Sequence, residues 1–380
     1  MAVAYAHINP DNLRWARERA QLTMGMLAKK LSISEDKLVS WENGDKKLTF
    51  NQAKSVAEKT YIPFGYLFLK KAPEEKLPIP DLRTVDGEPL RQPSAELLKI
   101  IQIVIARQHW YQEYQAEQGT ENNSYIGNFN ADSSFINIVK DMRKALGVGA
   151  HPERGNWEEY QRLLVKRIEQ IGILVMRHGD LGHHTKKLSV EEFRGFAIFD
   201  KISPVIFVNQ ADAPSARLFT LMHELAHIWI GQSGVSDAST KAHRKEEVLC
   251  NAVAAEFLVP QDEFLGLWQD IDNWVDNLPE LEAHFHVSKW VLARRALTLA
   301  LITQSQYGKY ITFLKKQHEQ RDKKSGAPSY YRTINSQISE SFSRALIAET
   351  LSGKVLLRDA GQLLGMKPNN ITKFAKELGI

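Results

Sequence analysis

The chain has 380 residues, 43% of them hydrophobic and 25% charged, with a formal net charge of +4 and a single cysteine. That length allows two or three domains, and no run approaches the ~18 apolar residues of a membrane span, so no membrane partner is expected. One cysteine excludes an internal disulfide framework, and the first twenty residues lack the basic-then-apolar order of a secretion signal, so the expected location is cytoplasmic.

Residues 1–72 read as an all-α domain. Leu13, Ala16 and Ala20 share one helical face, and Thr23 is placed to cap a second helix, MGMLAKKL. Ser32-Ile33-Ser34 makes a short turn, after which Ser34 caps a third helix that Gly44 stops; a fourth follows over FNQAKSVAEKT. Two short helices joined by a three-residue turn describe a helix-turn-helix. Its second helix would face DNA with Ser34, Lys37 and Ser40, and Lys29, Lys30, Lys46 and Lys47 could reach phosphates or form a solvated face. On Leu27-Ala28, Ile33-Ser34, Trp41-Glu42-Asn43-Gly44 and Ala57, the segment LAKKLSISEDKLVSWENGDKKLTFNQAKSVAEKTYIP resembles the DNA-binding domain of phage-repressor-like (XRE-type) regulators. The resemblance implies double-stranded operator DNA as a partner and, by analogy with two-fold operators, a homodimer. The family's usual Ser-Gln pair is replaced by Thr23-Met24, and Glu35 and Asp36 put negative charge at the start of the base-reading helix.

Residues 73–150 read as a linker and helical connector. KKAPEEKLPIPDLRT holds three prolines, and two helices follow, over PSAELLKIIQIVIARQHWYQEYQ and SFINIVKDMRKALGV. The Trp110, Tyr111 and Tyr114 cluster is expected in a core rather than as a base-stacking platform.

Residues 151–305 carry the chemistry. NWEEYQRLLVKRIEQ is an amphipathic helix leading into a strand at 171–176, and FRGFAIFD and SPVIFVN alternate as a strand pair of a small antiparallel sheet. Asp212 or Ser215 can cap the next helix, which contains LFTLMHELAHIWIG. There His223 and His227 stand at i and i+4, one above the other, so both imidazoles can reach one metal ion, and Glu224 beside them is placed as a general base. Leu218, Met222, Leu225 and Trp229 form an apolar stripe on a different face. A catalytic zinc site needs a third ligand and an open fourth position. KEEVLCNAVAAEFLVP offers Glu247, 20 residues after His227, with Cys250, Asn251 and Ala254 on the same face; Glu256 is the other candidate, on the opposite face. Cys250 reads as a lone buried thiol at a close helix contact.

The run EEFRGFAIFD…PVIFVN…SARLFTLMHELAHIWIGQSG…EEVLCNAVAAEFLVP resembles the ImmA/IrrE family of zinc metallopeptidases. The resemblance implies a zincin-like domain, Zn²⁺ held by His223, His227 and Glu247, and Glu224 as the base. Family members cleave repressors that carry helix-turn-helix domains, so the implied partner is a repressor or similar regulatory protein. A second electrophile would be sought among His178, His183, His184 and His243, and the edge of the 193–209 sheet could take an extended peptide by strand addition.

Residues 306–380 read as a helical C-terminal region, with a charged loop around KKQHEQRDKKSGAPSYYR and a helix-turn-helix rhythm in DAGQLLGMKPNNITKFAKEL. The expected whole is an α+β, mostly helical protein: a DNA-binding regulator fused to a zinc-dependent endopeptidase. The competing reading is a non-proteolytic repressor or antitoxin whose peptidase fold binds a partner toxin.

Overall fold

A computed structural model of the chain describes residues 4–73, 93–152, 155–181, 188–236, 245–269, 271–320, 334 and 336–380. Helices dominate, two small sheets accompany them, and the chain divides into two compact units, residues 1–103 and 104–380.

In the first unit, β1 (Tyr5–Ala6) pairs antiparallel with β2 (Leu48–Thr49), a two-stranded element that the sequence pattern does not reveal. Four helices surround a core containing Leu13, Leu27, Leu38, Trp41 and Val56: α1 (Pro10–Arg19), α2 (Met24–Leu31), α3 (Glu35–Glu42) and α4 (Phe50–Lys59). Thr23 caps α2 by accepting from the Met26 N–H, and Ser34 caps α3 by accepting from Lys37 N–H. Ser32 turns the chain between them with a left-handed backbone (φ 56°). The buried Glu42 accepts both Nε and Nη2 of Arg17 at 2.6 and 2.9 Å, a bidentate pair that locks α1 to α3. Most of the linker expected over 70–84 lies outside the described residues.

Helix α5 (Ala95–Glu117) opens in the first unit and continues into the second. In the second unit Trp110 stacks on Tyr114 and meets the Phe342 ring edge-on, so this aromatic cluster serves packing. The larger sheet contains β3 (Leu174–His178), β4 (Gly195–Ile198), β5 (Val205–Asn209) and β6 (Gly234–Ser236), in the order β3-β5-β4-β6. Its β4–β5 pair is antiparallel as expected, but the sheet is mixed rather than antiparallel: β3 runs parallel to β5, Leu174 opposite Val205. The reason is strand order. The β4–β5 hairpin turns its second strand, not its first, toward β3, which reverses the expected direction. Among the described residues β4 and β5 are interior, and the outer strands are β3 and β6, so a sheet edge for a peptide lies at one of these and not within 193–209.

Helix α6 (Phe135–Leu146) packs on α9 (Lys245–Leu258), α7 (Trp157–Gln170) packs on β3, and α8 (Pro214–Trp229) lies across β4 and β5 with α9 alongside. All feed one core, in which Trp229 is fully buried with its Nε1 donating to Asp141 at 2.8 Å. The chain closes with α10 (Gln261–Leu267), α11 (Leu278–Phe285), α12 (Lys289–Thr298), α13 (Gln304–Gln320), α14 (Glu340–Leu351), α15 (Leu357–Leu364) and α16 (Ile371–Glu377). No helix of the described residues is long and apolar enough to cross a membrane.

Candidate metal centre

Helix α8 begins without either predicted cap. Ala213 is its N-cap residue and Pro214 opens the first turn, while Asp212 Oδ1 accepts from the Ala213 N–H. The separation of an apolar face from a metal-binding face also disappears. From Thr220 to Ile230 every residue of the segment is buried, His223 and His227 included, because sheet, α9 and α7 cover the helix from several sides. The two imidazoles therefore sit in an interior cleft.

Glu247, in the first turn of α9, reaches across this cleft. Its Oε2 lies 3.2 Å from His223 Nε2, its Oε1 3.1 Å from His227 Nε2, and the two Nε2 atoms are 3.1 Å apart. Two ligands bound tetrahedrally at zinc's usual ~2.0–2.2 Å are separated by roughly 3.3 Å, so the three edges match what one small cation would impose. The donor types match as well, two imidazoles and one carboxylate. Burial alone would push the Glu247 carboxyl up, but the His223 and His227 imidazoles beside it outweigh this and hold it well below the usual carboxylate range. The group is thus an anion throughout the working pH range. These residues can hold a metal ion.

Glu256 is occupied elsewhere: it accepts from Arg295 of α12 and from the Gln261 N–H, one helix end away from the cleft. Cys250 is fully buried, and its thiol is pushed well up by burial and by the nearby Glu247, Glu224 and Glu246 carboxylates. It is not among the groups that converge on the site.

Glu224 is completely buried beside β4. A Cβ built on Gly195 would stand 2.7 Å from Glu224 Oε1, 2.7 Å from Thr220 Cγ2 and 2.8 Å from the Phe207 carbonyl. The missing side chain at Gly195 is what lets α8 approach the sheet and seats the Glu224 carboxylate there. Sequence reasoning places Thr220 on the face of His223 and His227 but passes over Gly195; a glycine inside a strand pattern was the available signal.

Of the four histidines considered as a second electrophile, His183, His184 and His243 lie outside the described residues. His178 is engaged in the fold: Arg107 Nη1 lies 2.9 Å from its Nε2, and its ring stacks on Phe207. Because Arg107 can only donate, Nε2 accepts and the ring is neutral. Burial, then the charges of Arg107 and Arg177, hold its pKa well below 6.5. The unfolded chain takes up a proton below 6.5 that the folded state refuses, so this contribution to stability is complete above 6.5 and is lost as pH falls toward the folded-state pKa. The loss is about 1.4 kcal/mol per pH unit. Urea unfolding of the wild type and His178→Gln at pH 7.5 and 5.5 should show the wild type losing more; equal losses would contradict this account.

The DNA-contact candidates of the first unit also have internal roles. Ser34 caps α3, Ser40 Oγ donates to the Lys37 carbonyl at 2.7 Å, and Lys37 Nζ lies 5.5 Å from the Trp41 ring centroid. Ser34 and Lys37 remain exposed and Ser40 half-buried.

Residues 168–297 match the family model of the IrrE N-terminal-like domain (Peptidase_M78), a span that includes His223, Glu224, His227 and Glu247. This agrees with the ImmA/IrrE resemblance and makes the middle of the chain a metallopeptidase-related domain. Residues 338–377, which hold α14 to α16, match a domain of unknown function (DUF8813). No curated protein matches the chain.

Proposed function

We propose that the chain is a zinc metallopeptidase that hydrolyses peptide bonds in a regulatory protein, such as a repressor, and carries its own operator-binding unit. The observation that carries the peptidase reading is the convergence of His223, His227 and Glu247 at edges of 3.1 to 3.2 Å, with the buried Glu224 next to His223 on the same helix. Zinc held there would supply Lewis acidity, lowering the pKa of water and polarising the scissile carbonyl. His223 and His227 would supply two imidazole nitrogens to the ion, and Glu247 the one negative charge. Glu224, not needed as a ligand, takes a proton from the attacking water and returns it to the leaving amine. Its carboxylate is fully buried, packed against Gly195 and Thr220. The outer strand β6, next to β4 and leading away from α8, is the edge on which an extended peptide would pair.

The test uses the full chain, zinc-loaded or chelator-stripped, with candidate regulators and toxins encoded beside it. Cleavage that requires zinc supports the peptidase. A zinc-loaded chain that binds a toxin tightly and cuts nothing would favour the non-proteolytic antitoxin instead.

The operator-binding half of the proposal draws support from α2 and α3, joined through Ser32, Ile33 and Ser34, and from exposed Lys29, Lys30, Lys37, Lys46 and Lys47. Ser34, Lys37 and Ser40 are assigned to double-stranded operator DNA, bound by a homodimer. A phosphate contact from Lys37 contributes about 0.9 to the slope of log affinity against log salt. Lys37→Ala should therefore weaken binding on all sequences alike and flatten that slope by roughly one per protomer, as measured by fluorescence anisotropy between 50 and 200 mM salt. An unchanged slope would remove Lys37 from the interface.

A further inference from the structure

A second pair of imidazoles converges on a carboxylate elsewhere in the same unit. His151 follows α6, Glu263 stands in the first turn of α10, and His284 in the last turn of α11; their ligand atoms all lie within 4.8 Å of one another. Both rings address one oxygen. His151 Nε2 is 3.2 Å and His284 Nε2 3.3 Å from Glu263 Oε2. The rings are 4.3 Å apart and tilted by 48°, and the edge of Phe285 supports both.

A second feature fixes what His151 offers. Its Nδ1 lies 3.3 Å from the Pro152 carbonyl. A carbonyl only accepts, so Nδ1 carries a proton, and Nε2 is the ring atom turned toward Glu263. A backbone carbonyl behind the distal nitrogen is also how metal-ligating histidines are commonly oriented.

We propose that His151, Glu263 and His284 form a second site, for a divalent transition metal of the zinc class. Two imidazoles and one carboxylate are ligands of borderline softness, which disfavours Mg²⁺ and Ca²⁺. The side chains are 25%, 38% and 35% exposed, so an ion can enter from solvent and keep water ligands. The site's role is structural. Arg143 Nη2 donates to the carbonyls of Ala150, Glu256 and Phe257, pinning the segment before His151 to the end of α9. An ion bound to the trio ties that segment to α10 and α11. It thereby braces the far end of the helix whose first turn holds Glu247, about 14 Å away along the axis.

The assignment stands apart from the peptidase reading, and metal counting separates them. The full chain is stripped with chelator, equilibrated with micromolar Zn²⁺, dialysed, and its zinc measured by atomic emission. Wild type is expected to hold two equivalents, Glu263→Gln and His284→Ala one each, and Glu247→Ala one. Combining Glu263→Gln with Glu247→Ala should leave none. Excess Mg²⁺ should displace nothing, and circular dichroism checks that the isosteric Glu263→Gln stays folded. The second site is overturned if wild type holds one equivalent that Glu247→Ala removes. It is equally overturned if neither Glu263→Gln nor His284→Ala lowers the count. One equivalent removed by Glu263→Gln and untouched by Glu247→Ala would uphold the second site and sink the first.

Discussion

Glu224→Gln is expected to retain its zinc and its fold and to lose about 10²- to 10⁴-fold in the rate of substrate cleavage. Glutamine keeps the shape of the side chain in a position with no exposed surface, so packing against Gly195 and Thr220 is preserved. What it lacks is a basic oxygen to take a proton. The metal should stay because the three converging groups are His223, His227 and Glu247, none of them altered. Glu247→Ala should behave in the opposite way. It leaves the base in place but removes the anionic ligand, so the zinc of this site is lost on dialysis, the count falling by one equivalent, and activity disappears with it. Cleavage rate and zinc content, measured side by side on both variants, separate the two roles. A Glu224→Gln protein that cuts at the wild-type rate would end the general-base assignment, and a Glu247→Ala protein that keeps its full zinc content would end that of the third ligand.

This pair of residues also shows what a sequence can carry. His223 and His227 meet because helical spacing is local, and Glu247 joins them because the chain returns on a helix packed alongside. The choice against Glu256 followed from helical phase, and its physical counterpart is Arg295, which holds Glu256 at the other end of α9. Strand identity was local too, so β4 and β5 were legible. Strand partnership was not. The three-residue β6 and the parallel join of β3 to β5 depend on pairings about 30 to 40 residues apart, which alternation of side chains cannot encode. His178 illustrates the same limit. As a histidine just past a strand it looked available for chemistry, yet its partner Arg107 comes from 71 positions earlier. The caps of α2 and α3 were legible because the capping residue and the N–H that it satisfies are three positions apart. For α8 the same reasoning chose Asp212 or Ser215, but the helix opens on a proline at its first position, with no side-chain cap.

Gly195→Ala is the second large effect expected, and it joins stability to catalysis at one atom. Gly195 pairs with Val208 of β5 on one side and Ser236 of β6 on the other, so its backbone is fixed from both neighbours. A methyl group there would meet the Phe207 carbonyl at 2.8 Å, and this backbone atom cannot swing aside. Relief of the Thr220 and Glu224 contacts must come from α8 moving away from the sheet, while the Phe207 contact can ease only by spreading β4 from β5. Overpacking of this kind costs about 1–3 kcal/mol. A shift of about 1 Å in a catalytic group can cost a further 10²-fold in rate. The variant should therefore unfold at lower denaturant and cleave far more slowly than its residual folded fraction explains. Gly266→Ala supplies the contrast. Gly266 lies within α10, a Cβ there meets nothing within 4 Å, and alanine favours a helix, so this change should leave activity intact and stabilise by about 0.5–1 kcal/mol. If Gly195→Ala were as well tolerated as Gly266→Ala, the close approach of α8 to β4 would not be what seats Glu224.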